Sequence, residues 1–161
     1  MTTPERQTGS RLQRYAWTVF VFIGVVMFLF GLTDLMSGAA TFGQGEAPTF
    51  RGITGTTWES TKTSPVAAQI DWMVRAQAIW ITLGGALTGL VAATAFRRGE
   101  RWAWFAMLLV PLLGAVLDLN LYLAVKQWAS GIPPPLISGP ILILIAVVPL
   151  AITFRRMVRR R

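Results

Sequence analysis

Three carboxylates, Asp34, Asp71 and Asp118, stand in stretches that are otherwise apolar, and Arg75 follows Asp71 by four residues. Carboxylates so placed can exchange protons, hold a cation or pair with an arginine, and an arginine beside them can anchor an anion. Gln69, Gln77, Asn120 and Tyr122 fall close to them along the chain and complete a candidate polar pocket. The chain has no cysteine and no histidine, which removes disulfides, thiol redox chemistry, imidazole catalysis and the commonest zinc and haem ligands. It has no nucleotide-binding glycine pattern, nucleophile elbow or zincin motif. The residues therefore imply no metal, no cofactor and no catalytic residue set. An intramembrane enzyme would have to use Asp118 for acid-base chemistry with Arg75 as its anion anchor.

The elements that hold these residues are read from hydropathy. Of 161 residues, 53% are hydrophobic and 14% charged, whereas a soluble domain carries about a quarter charged. This predicts an all-α, polytopic membrane protein: a four-transmembrane-helix bundle with spans at about 15–36, 66–96, 102–126 and 136–154, each near the ~20 apolar residues a bilayer requires. The first run is longer than a signal-peptide core and reads as an anchor. Residues 1–14 form a polar tail and 155–161 a basic one. Segment 37–65 is rich in Gly, Thr and Ser, and a connector of that length favours a folded cap over the helix ends, with a short hairpin or re-entrant turn around 49–58. Trp58 in that segment is expected to pack within it. Consecutive Pro133, Pro134 and Pro135 impose a firm break before the last span.

Charge sets the expected orientation. Three arginines in the N-terminal tail, three in the 97–101 turn and five in the C-terminal tail make eleven of the fifteen basic residues, which predicts both termini on the cytoplasmic side of a bacterial inner (plasma) membrane. The net charge of +8 follows from that distribution and implies no nucleic-acid partner. Counted along helices, Arg75 lies 22 residues from Arg97, Asp34 lies 20 from Arg14 and Asp118 lies 17 from Arg101, or about 33, 30 and 25 Å. All three belong to the outer leaflet. Each sits on a stripe of small residues: Gly24 and Gly31 with Asp34; Asp71, Arg75, Ala78, Thr82, Gly85 and Gly89; Gly114 with Asp118 and Tyr122. The glycines of these stripes are expected to seat neighbouring helices. Short second and third connections predict that successive spans are neighbours. Trp17, Trp72, Trp102, Trp104 and Trp128 are expected to form interfacial belts.

The turn Arg97-Arg98-Gly99-Glu100-Arg101-Trp102-Ala103-Trp104, followed by Pro111, resembles that of small, uncharacterised bacterial four-helix membrane proteins and, more remotely, the DoxX-like group. The resemblance implies a four-helix layout and, for the remoter group, association with redox or quinone-linked complexes. Two functions are expected. The first is a non-enzymatic accessory or interaction subunit whose partners are the lipid bilayer and a membrane protein or second copy. The second is a small-molecule, lipid or proton-handling protein with an outward-facing pocket around Asp118 and Arg75.

Overall fold

The computed structural model describes residues 11–126, 128 and 131–158. It is 86% helix, with no strand among the described residues. Helix α1 spans Arg11–Ser37 and runs into a 3-10 turn, Gly38–Gly43; the short helices α2 (Ala47–Thr54) and α3 (Trp58–Thr61) follow. Helix α4 (Ala67–Val91) continues as a π-helical turn, Ala92–Phe96, before α5 (Arg101–Ala124) and α6 (Pro135–Met157). Four stretches, Tyr15–Gly43, Ala67–Phe96, Arg101–Ala124 and Pro135–Arg155, are long and apolar enough to cross a membrane. The segment expected as a cap is helical and contains no hairpin. Residues 1–10 of the polar tail and 159–161 of the basic tail lie outside the described residues.

Each break has a local cause. Gly38, at φ +55°, ends α1 in the left-handed region that L side chains rarely adopt. Gly99, at φ +80°, reverses the chain after α4; its N–H donates to the Phe96 carbonyl (3.0 Å) and the Glu100 N–H to the Ala95 carbonyl (3.1 Å). Helix α6 starts on Pro135, where the missing N–H would have had no helical partner.

Helix α1 packs along α4, and α6 packs along both α5 and α1. The expected adjacency of α5 and α6 is present, whereas α4 and α5 touch only slightly. Small residues decide this outcome. A Cβ on Gly24 would lie 2.6 Å from the Gly89 nitrogen, and one on Gly85 would lie 2.5 Å from the Phe28 nitrogen. Backbones that close gain dispersion contacts that branched side chains would prevent, and α4 finds such a surface on α1. Gly31 abuts Thr82 and Ala78, and a Cβ on Gly114 would lie 3.2 Å from Ile143 Cγ1 on α6.

The hydrophobic core lies towards the α4–α5 turn, where Phe20, Ile23, Ala92, Phe96, Trp104, Met107 and Leu150 cluster. Phe20 meets Phe96 edge-on at 5.2 Å. Trp104 departs from the expected belt: it is 8% exposed, and its indole N–H donates to the Leu150 carbonyl on α6 (3.1 Å). It shares a stripe with Met107 and Pro111, three and seven residues on, and that stripe is buried. Trp102, on another face, is exposed.

Candidate functional site

Where α1 stops, its last carbonyls have no helical donors. Arg75, on α4, reaches that end: its Nη1 donates to the Leu35 carbonyl (2.6 Å), and its Nε donates to Asp71 Oδ2 (2.8 Å). The other Asp71 oxygen, Oδ1, accepts the backbone N–H of Ala39 (2.8 Å). Two side chains one turn apart on α4 thus satisfy an acceptor and a donor on either side of the α1 break. The guanidinium also meets the negative end of the α1 dipole. A Cβ on Gly38 would overlap the Asp71 carboxylate, so this glycine is required by space as well as by φ. Both side chains are about 40% exposed (42% for Arg75, 39% for Asp71). Solvent screens the charge attraction, and the backbone groups they satisfy carry most of the effect.

Asp118 has other company. Its carboxylate lies against Gly139 of α6, where any Cβ would overlap it, and its Oδ2 is buried with no hydrogen-bond partner among the described residues. Among the described residues no ion pair joins Asp118 or Asp34 to Arg75. Asp34 is half-buried on α1, and Gln69, Gln77, Asn120 and Tyr122 are exposed. The Tyr122 ring meets Trp128 at a tilt, 5.3 Å between centroids. Of the eight pocket candidates, the structure joins Asp71 to Arg75 and seats Asp118 separately against α6. The partners that residue types did not reveal are the Leu35 carbonyl, the Ala39 N–H, Gly38 and Gly139. Gly139 had a signal, since it lies 16 residues from Arg155 while Asp118 lies 17 from Arg101, at matching depth.

The cap is built on three rings. Phe42 and Phe50 lie 5.0 Å apart between centroids, and Trp58 stands edge-on to both at 6.2 and 5.7 Å. Trp58 therefore packs within the cap. The Lys126 N–H donates to the Gly52 carbonyl (2.8 Å) and fastens α2 to the end of α5. An open cleft of about 200 Å³ on the cap is lined by Phe42, Pro48, Arg51, Thr57, Trp58 and Glu59, with Glu59 paired to Lys62. No group of three or more metal-binding side chains occurs among the described residues. Comparison with protein-family models, with curated proteins and with solved structures gives no match to this chain.

Proposed function

We propose that the chain is a small multi-pass protein of the bacterial inner membrane, with both termini cytoplasmic. In this reading it is a non-enzymatic accessory or interaction subunit that presents its folded cap to a membrane-protein partner or a second copy. The observation that carries this reading is the engagement of Arg75 and Asp71. That charged pair joins α4 to the end of α1 at the root of the cap, and it commits the Nε and Nη1 donors of the guanidinium to protein groups. The aromatic cluster and the Gly52–Lys126 link make that cap a firm platform. Exposed Arg51 and Thr57, on its cleft, are the natural contact positions.

Photo-crosslinking amino acids at Arg51 and Thr57, and at lipid-facing Leu117 on α5 as control, test this in native membranes. Discrete protein adducts from the cap and lipid adducts from Leu117 are expected. A correctly inserted protein whose cap positions yield no protein adduct overturns the accessory role. The second reading, a small-molecule, lipid or proton-handling site, is favoured by one observation, the unpartnered oxygen of Asp118. With Arg75 engaged elsewhere, it rests on Asp118.

A further inference from the structure

We propose that Asp118 is a proton-binding site, held as the neutral acid between α5 and α6 and exchanging its proton with the side on which the cap lies. The proposal rests on the Asp118 reading above and is independent of the accessory role. Four observations converge on it. Its Oδ2 is shielded from solvent and receives no hydrogen bond from the described residues, a state that costs a carboxylate far more than a carboxylic acid. The packed neighbour α6 offers no counter-charge, having no charged residue from Pro135 to Phe154. Along the chain the nearest charged side chains are Lys126, eight residues on and just past the end of α5, and Arg101, 17 residues back. Arg75 is engaged with Asp71 and the end of α1.

The α6 side of the contact suits a donor. Gly139 leaves the notch that the carboxyl fills. Pro140, next in the chain, brings no N–H, so the Leu136 carbonyl lacks the donor a helix would supply. Leu136 and Gly139, three residues apart, share a face of α6. A carboxylate can only accept hydrogen bonds, whereas the acid has an O–H to give to such a carbonyl. Access is short: Asp118 lies six residues from the end of α5 and Gly139 four from the start of α6, about 9 and 6 Å of helix rise. The side chain is only partly buried, which leaves its other edge open to exchange. On binding, a hydronium ion transfers its proton to a carboxylate oxygen; one O–H bond forms, water leaves and the negative charge is cancelled.

The test uses the full-length protein in liposomes, treated with dicyclohexylcarbodiimide, which takes the proton of a carboxylic acid in apolar surroundings and is then captured at its central carbon by the carboxyl oxygen. Adducts are located by mass spectrometry. At neutral pH, Asp118 is expected to be labelled at least about tenfold more than Asp71, which is paired with Arg75. Labelling should fall as the pH on the cap side rises and vanish in Asp118→Asn. Infrared spectroscopy reads the same proton without needing reagent access. The carbonyl stretch of a neutral carboxylic acid should be present in wild type, bleach at alkaline pH and be absent from Asp118→Asn. Wild type and Asp118→Asn with identical spectra in that region overturn the proposal, as does labelling of Asp118 that does not change with pH. Neither result bears on cross-linking from the cap.

Discussion

At the scale of single residues, the decisive contacts are between side chains and backbone. Arg75 serves a carbonyl of α1 and Asp71 serves an N–H beyond the break, so the two should not be equivalent on substitution. Arg75→Ala leaves the Leu35 carbonyl and the Asp71 Oδ2 without their donor and should destabilise the protein by about 1–3 kcal/mol. Asp71→Asn keeps an oxygen for the Ala39 N–H but turns its NH2 to Arg75 Nε and loses that solvent-screened, charge-assisted hydrogen bond, for a cost of about 1 kcal/mol or less. Gly38→Ala forces a Cβ onto the Asp71 carboxylate at a positive φ and should cost about 1–3 kcal/mol. Thermal unfolding in detergent, followed by tryptophan fluorescence, ranks the three; equal effects from Arg75→Ala and Asp71→Asn would mean that the charge pair, not the backbone, carries the clamp.

At the scale of elements, glycine has different meanings at positions that look alike in the α1–α4 seam. A Cβ on Gly24 would strike the backbone of α4, so Gly24→Ala must separate the helices and should cost about 1–3 kcal/mol. A Cβ on Gly89 would meet nothing within 4 Å, so Gly89→Ala should be neutral or stabilising by up to about 1 kcal/mol through helix propensity. The same unfolding measurement separates them, and equal destabilisation would place Gly89 in a tighter seam than this geometry. On α5 the tie to α6 includes one indole. Trp104→Phe keeps most of the ring contact but removes the hydrogen bond to Leu150, for a loss of about 1 kcal/mol.

At the scale of the whole molecule, the bundle is closed at one end by its apolar core and joined at the other by the cap, which connects the α1–α4 pair to α5 through Gly52 and Lys126. The charge asymmetry supports the core end as cytoplasmic. A chain without cysteine makes this simple to test, because single cysteines at Gly45 on the cap and Arg98 in the α4–α5 turn report without background. In intact cells an impermeant thiol reagent should modify Gly45→Cys and leave Arg98→Cys untouched until the membrane is opened. The opposite pattern would invert the orientation.

That the chain carries four helices long and apolar enough to span a membrane was legible in the sequence, because hydropathy is a sum over local residues and needs no knowledge of contacts. The basic turns, the proline break and the i, i+4 relation of Asp71 to Arg75 are local in the same way. The helix pairing was not: α4 chose α1 over its chain neighbour α5 because glycines far apart in sequence let their backbones meet. Nor could residue types say that Arg75 serves the end of α1 while Asp118 sits against Gly139. The first partner is a backbone carbonyl, which every residue has, and the second is a missing Cβ. Such groups leave no mark in the sequence, and only the tertiary structure decides which side chains reach them.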